Sequence, residues 1–537
     1  MRRDLARLCD ERHDVVVVGG GIHGACAAWE AARRGLRVAL IEAGDFNRAT
    51  SANSLRTLHG GLRHLQRLDF VHMRESIRER SEWLRMAPEL TQPLRFILPT
   101  CGWGTRNRSI LRAALWVNDM VSADRNQGVA PQHHLPKGAI LGKGEFAALY
   151  PGLSIPAYDG AAAWYDGICL DTERLQLAVV KAAVTCGAQA ANYLLAQQVL
   201  QDGPDVTGVR VRDELTGRQM DLHARVIINA AGPWIEEWLG GESSEPRAAR
   251  AFKASKAFNL VVRQLPFRDA LGLTARGNTY FIMPWNGYSL VGTRHLRCDP
   301  AVREAPVSRE EVLGFLSDLN PLLGEHRLSG ADIHGVFSGL LPEADGAVGP
   351  DVALERSAQI IDHAQQGLAG LVSIIGVKWT TARAVGERVA RRACRRLGRT
   401  DQLLSAERKL DCSVVSSPGA DPALAARIVP DLPVVLGQVV HAVRQEMALR
   451  LSDVVRRRTP LYLSAALDGS VLASCAATMA RELRWSRRDV AAEIEATEAE
   501  IAAFRGPFRF DPRPVAPGRA PQALPGTPSA ALRLRPD

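Results

Sequence analysis

Residues 13–45, "HDVVVVGGGIHGACAAWEAARRGLRVALIEAGD", pass through three hydrophobic patterns in succession. The fully apolar "VVVV" suits a strand buried on both faces, the glycines make a turn, the alanine-rich run to Gly35 is helical, and "RVALIEA" is a second strand. The pattern predicts one βαβ unit at the N-terminal end. From about 187 to 229 it shifts to short β-rich runs, "VTGVRVRDE" and "GRQMDLHARVIINAAG", divided by Asp-Gly and Thr-Gly turn signals, which predicts a meander returning to the first sheet. Between about 251 and 339 the strands "AFNLVVR", "YFIMPW" and "YSLVGT" alternate with the helical "SREEVLGFLSDLNPLL", a separate α+β unit. "LAGLVSIIGVKWTTARAVGERVARRACRRLG" then gives strand, glycine turn and long amphipathic helix; the chain is helical and Arg-rich to Phe504, and the Pro/Ala/Arg-rich remainder has the composition of a disordered tail. No internal repeat is evident.

The predicted fold is α/β: a Rossmann-like nucleotide-binding domain interleaved with an α+β cap, plus a C-terminal helical domain. The boundaries expected are 1–400 for the two interleaved units (nucleotide-binding segments about 13–90, 160–250 and 340–400; cap about 91–159 and 251–339), 405–505 for the helical domain and 506–537 for the tail.

Composition narrows the class. A net charge of +9 suits an anionic substrate, a membrane surface or a nucleic acid. The basic residues are dispersed and lack interleaved aromatics, which argues against nucleic acid. Nine cysteines at irregular spacing, without CxxC, read as reduced thiols in a cytoplasmic chain and imply no metal site. "MRRDLARLCDERHD" lacks a signal-peptide core, and no run approaches the roughly 20 apolar residues that span a bilayer, so the expectation is a cytoplasmic protein, at most peripheral to the inner face of a membrane.

Gly19, Gly21 and Gly24 form GxGxxG after a strand and at a helix start, where a pyrophosphate meets helix-terminal amides; Glu42, ending the second strand, is placed for ribose hydroxyls. The second strand runs straight into "GDFNRATSANSLRTLHGGLRHLQ" instead of a further βα unit, which favours FAD over NAD.

The segments "DVVVVGGGIHGA", "ATSANSLRTLHGGLRHL", "RMAPELTQPLRFILP", "DGICLDTERL", "VIINAAGPW", "FIMPWNGYSLVGT" and "GVKWTTAR" resemble, in order and spacing, the FAD-dependent glycerol-3-phosphate dehydrogenase family of the D-amino-acid-oxidase-like flavoproteins. The resemblance covers about residues 13–390, with a weaker echo in "VVHAVRQEMALRLSDVVRRRTPL". It implies that Gly19, Gly21, Gly24, Glu42 and Ala43 hold the ADP half of FAD and that Thr50, Ser51 and Ser54 reach phosphate or flavin. Val199 would meet adenine through its backbone, and Ala231 and Gly232 would pass close to the nucleotide. His59, Gly60 and Gly61 would lie on the flavin ring, and Lys378, Thr380 and Thr381 would face its pyrimidine edge. Arg63, Arg356 and Lys378 match the family's phosphate-side cations. For Arg56 and Arg67 an ion-paired or solvated helix face is the expectation.

Four differences from the family pattern stand out: Leu341 in "FSGLLP" replaces an arginine, Asn259 a histidine, Arg294 and His295 follow "GT", and His64 follows Arg63. His295, His64 or His59 remains as the proton acceptor, His295 being favoured, and Arg294 and Asn259 join the candidate substrate contacts. The reaction implied is hydride transfer from a phosphorylated polyol, foremost glycerol 3-phosphate, to flavin, with a quinone or oxygen as acceptor. Oxidation of an amine or another alcohol, or a catalytically inactive flavoprotein subunit, is the alternative. The basic runs "VVRRRTP" and "VARRACRRLG" read as solvated faces, or as attachment to an anionic membrane; assembly as a homodimer is left open.

Overall fold

The computed structural model describes residues 1–102, 104–239, 254–298, 305–344, 352, 354–404, 409–413 and 422–508. Two sheets organise it. The first runs Gln359–Asp362, Leu371–Ile375, Gln219–Asn229, His13–Val18, Val38–Ile41, Gln189–Ala191, and the four pairings from Leu371–Ile375 onward are parallel. His13–Val18 is central and wholly buried, which is why it reads as an unbroken valine run. The meander Leu194–Asp202 and Asp205–Asp213 leads antiparallel into Gln219–Asn229, whose far end enters this sheet.

The helix Ile22–Ala32 lies between the helices Thr172–Thr185 and Ala382–Arg396. Its alanines permit close approach, and at Gly386 a Cβ would sit 2.7 Å from the Cys26 carbonyl carbon. Charges are buried here too: Arg383 bridges Glu79, Glu30 and Glu387, fixing the start of Ala382–Arg396 against the helix Phe70–Met86.

The second sheet is the cap: Ile333–Pro342, Ala254–Arg263, Tyr288–Arg297, Asn278–Trp285, Ala270–Ala275, Thr91–Thr100, Gly160–Cys169, Thr57–Leu58, with Ala139–Gly142 beside Gly160–Cys169. Arg309–Leu323 starts at a Ser308/Glu311 capping box and buries Val312, Phe315, Leu316 and Leu319 in the cap core. Gly160–Cys169 and Thr57–Leu58 thus belong to the cap sheet, whereas the sequence pattern grouped both with the nucleotide-binding segments. Thr91–Thr100 and Gly160–Cys169 pair over their full length, a long-range partnership that local periodicity does not report.

The C-terminal helices Leu436–Glu446, Gly469–Leu483 and Arg487–Arg505 share a core with the cap strands through Phe337, Trp285 and Phe504. Among the described residues no helix is long and apolar enough to cross a membrane. Phe508 is buried against Gly330, so ordered packing extends past 506; the rest of the expected tail lies outside the described residues.

Candidate functional site

At the C-terminal edge of the first sheet, the glycine turn is closed by its own packing. A Cβ on Gly24 would collide with the Gly19 carbonyl and one on Gly19 with that of Ala230, so strand, turn and helix approach more closely than side chains allow. A Cβ on Gly21 would lie 3.2 Å from Ser51 Oγ, which accepts from Ile22 N–H at 3.1 Å. Glu42 accepts from Gly20 N–H (2.6 Å) and Gly44 N–H (2.9 Å) at the mouth of the turn. Gly19, Gly21, Glu42, Ser51, Ser54, Ala231 and Gly232 are all half-buried, and Ala43 is exposed, along one groove edge. Val199 is buried and paired to Val209 in the meander. Thr50 exchanges hydrogen bonds with the Leu340 backbone and joins the groove to the cap strand.

The segment 376–381 brings the last elements to the groove. His23, on the first turn after the glycines, abuts Gly376. Thr380 Oγ1 accepts from His59 N–H at 3.0 Å, its carbonyl accepts from Trp83 Nε1 at 2.8 Å, and Thr381 immediately precedes Ala382–Arg396. Trp379 Nε1 is buried without a partner.

Gly60 N–H donates to Asp166 at 2.7 Å, and His59 Nδ1 lies 3.9 Å from the same carboxylate with its ring half exposed. A Cβ on Gly60 would meet the guanidinium of Arg80 and Asp166 at 2.8 Å, while Gly61 has φ of +78°. The glycine pair is therefore required by the buried Arg80–Asp166 pair behind it and by a left-handed turn, reasons that come before any approach to a flavin. Asp166 and Arg80 were not singled out from sequence; "YDG", an acid inside an otherwise apolar strand, was the available signal.

Beyond this turn four candidates converge. Lys378 Nζ donates to His64 Nε2 at 2.6 Å, and Arg63 is near enough that its charge opposes protonation of His64, His295 and Lys378. Burial first, then Lys378, pushes His64 down to about 4; burial, then Arg63, pushes His295 down to about 4. Burial also lowers Lys378. His295 Nδ1 is buried without a hydrogen-bond partner. Among the described residues no carboxylate lies within ion-pair distance of Arg63 or Lys378.

Other candidates are placed elsewhere. Arg294 points from the opposite face of its strand to Tyr280 Oη and Asp318 (2.7 Å each), so it belongs to the cap core and supplies no charge beside Lys378. Asn259 is buried with its amide engaged: it accepts from Thr293 Oγ1 at 2.8 Å and donates to the Asn53 carbonyl at 3.2 Å, stitching the cap to the loop after the glycine turn. Arg356 is exposed, two residues past Leu354, which bridges Glu343 just beyond the strand that carries the half-buried Leu341. Arg56 is buried in a bidentate pair with Glu173 under Trp285, not on a helix face, and Arg67 is exposed.

The sequence profile described as FAD dependent oxidoreductase matches residues 14–392, and that of the C-terminal domain of alpha-glycerophosphate oxidase matches 387–490. A glycerol-3-phosphate dehydrogenase of Synechocystis is 31% identical, the match covering 92% of this chain and 97% of that protein. The chain belongs to the FAD-dependent glycerol-3-phosphate dehydrogenase family. A second such relative, from Mycobacterium leprae, is 33% identical over 71% of this chain and 62% of its own length. The crystal structure of the Bacillus halodurans glycerol-3-phosphate dehydrogenase complexed with FAD has the same fold, with a TM-score of 0.71, 22% identity and coverage of 94% and 98%.

As in this flavoprotein family, the cofactor is FAD. The groove fits it: a glycine turn too tight for side chains, the Glu42 carboxylate at the mouth of that turn, hydroxyls of Ser51 and Ser54 along the edge, and the orphaned Trp379 Nε1 beside a helix start.

Proposed function

We propose that this protein oxidises glycerol 3-phosphate to dihydroxyacetone phosphate at the groove where Arg63, His64, His295 and Lys378 meet. The observation that supports this most directly is two cations that, among the described residues, have no carboxylate within ion-pair distance and lie beside two histidines that burial keeps neutral. Bound FAD supplies the hydride acceptor. Arg63 and Lys378 bind the phosphate, Arg63 through its planar fork and Lys378 as a point charge. His295, neutral and with a buried unpartnered Nδ1, takes the hydroxyl proton, and the cap strands behind it keep out water. His64, hydrogen-bonded to Lys378, orients that ammonium. Steady-state rates on glycerol 3-phosphate and on glycerol test the reading: a preference for the phosphorylated substrate that is lost in Arg63→Gln supports it, and equal rates on both contradict it.

Electrons leave to a quinone, and the chain docks on an anionic lipid surface to reach it. The support is an apolar patch beside the site: Leu68 (73% exposed), Phe70 and Val71 (78%) precede and begin Phe70–Met86, and Ile110, Trp116 (63%) and Met120 form an outward stripe on Arg108–Val121. Arg74 ties the two helices by bonding the Val121 carbonyl and Asp124, and the exposed Arg67 and Arg112 flank the patch. Aromatic and aliphatic side chains rimmed by arginine suit an interfacial helix. The run "VVRRRTP" cannot serve as this surface, because Arg457 and Arg458 are buried on Asp45.

A further inference from the structure

Asp45 is three residues past Glu42, on the turn that closes the ribose end of the groove, and it is fully buried. Four donors reach its carboxylate: Arg458 Nη1 (2.7 Å) and Nη2 (2.8 Å), Arg457 Nε (2.8 Å) and Asn192 Nδ2 (3.0 Å). Both arginines come from the C-terminal domain, where Arg457 also bonds Asp453 at 2.8 Å and Glu500 at 2.7 Å, and Arg458 bonds the Glu446 carbonyl at 2.9 Å.

The turn is held besides by the bonds that Glu42 accepts from Gly20 and Gly44 N–H. Backbone bonds join it to the segment after Gln189–Ala191: Glu42 N–H to the Ala191 carbonyl (3.0 Å), Leu194 N–H to the Glu42 carbonyl (2.7 Å) and Tyr193 N–H to the Gly44 carbonyl (2.8 Å). That neighbouring segment is itself anchored to the C-terminal domain, Asn192 Nδ2 donating to the Met447 carbonyl at 2.9 Å and Tyr193 Oη to Asp453 at 2.6 Å. Both strands of the ribose turn are therefore fastened from behind by one stretch, 446–458.

We propose that Arg457 and Arg458 are positioning residues for FAD: through Asp45 they hold the Glu42–Asp45 turn in its binding geometry, so that cofactor binding and docking of the C-terminal domain strengthen each other. The inference rests on Glu42 reading the ribose. Coupling between sites is reciprocal, so a clamp that favours FAD is itself tightened by FAD.

The test titrates FAD, and separately ADP, into apoprotein by quenching of fluorescence. Arg458→Met is expected to weaken both by about tenfold or more, with Arg458→Lys between it and the parent. Tyr288→Phe, which removes a 2.6 Å bond from the cap sheet to the Leu463 carbonyl of the C-terminal domain, away from the turn, is expected to leave both nearly unchanged. Undiminished binding in Arg458→Met overturns the proposal, as does an equal loss in Tyr288→Phe, which would mean a general interface effect. Glu42→Gln separates the two layers: weakened ADP binding there with normal binding in Arg458→Met sinks the clamp alone, and normal binding in both sinks the ribose reading. Independently of any variant, hydrogen exchange of the parent is expected to slow at 451–458 when FAD is added; identical exchange with and without FAD contradicts the coupling.

Discussion

Lys378 and His64 share a 2.6 Å contact in which the imidazole must be the acceptor, so at neutral pH the pair carries a single positive charge. If Arg63 and Lys378 hold the phosphate as proposed, removing either takes away a charge-assisted contact worth about 1.5–3 kcal/mol, and Arg63→Gln or Lys378→Met is expected to lower kcat/KM by roughly 10- to 100-fold, chiefly through KM. With His295 as base, the acid limb of kcat/KM reports the free-enzyme value and is expected near 4, well below an ordinary histidine. An acid limb near 6.5, or an unchanged profile in His295→Gln, rules that role out. Sequence could nominate His295 and Arg294 as neighbours but could not separate them, because strand alternation sends one to the site and the other to Asp318, and the face is chosen by pairing with distant strands.

At the scale of elements, the helices around Ile22–Ala32 are joined by buried charges as well as alanine packing. Arg383→Met leaves Glu79 and Glu30 without that partner and is expected to destabilise by about 3–5 kcal/mol, measured as a lower denaturation midpoint. Burial also pushes His23, His295 and His334 down to about 4. Their unfolded values are higher, so the unfolded chain binds more protons between them. Stability is complete above about 6.5 and falls toward pH 4, each histidine adding a slope of about 1.4 kcal/mol per pH unit within that window. The βαβ unit was legible because local period and glycine punctuation fix it. The cap membership of Gly160–Cys169 was not, since an alanine-rich strand in the cap looks the same as one in the nucleotide sheet until its partner Thr91–Thr100 is known.

The whole molecule joins three units around one groove, and its C-terminal domain is tied inward by arginines that sequence alone would leave in solvent. A charge run announces itself; its buried acceptor Asp45, 412 residues from Arg457, does not. Conversely, the outward apolar stripe of Arg108–Val121 has ordinary amphipathic spacing, and only its exposure shows that it is left uncovered among the described residues. Val71→Glu combined with Trp116→Glu is expected to abolish sedimentation with anionic vesicles while leaving turnover with a water-soluble acceptor intact; unchanged sedimentation, or none by the parent protein, contradicts docking through this patch.

Anaerobic mixing of the purified yellow protein with glycerol 3-phosphate, followed at the oxidised-flavin band, shows whether this groove passes hydride from that substrate to bound FAD. Rapid bleaching that glycerol does not reproduce, and that slows in Arg63→Gln, is the predicted result. A band that stays oxidised with glycerol 3-phosphate would leave the flavoprotein fold standing and contradict the assigned substrate.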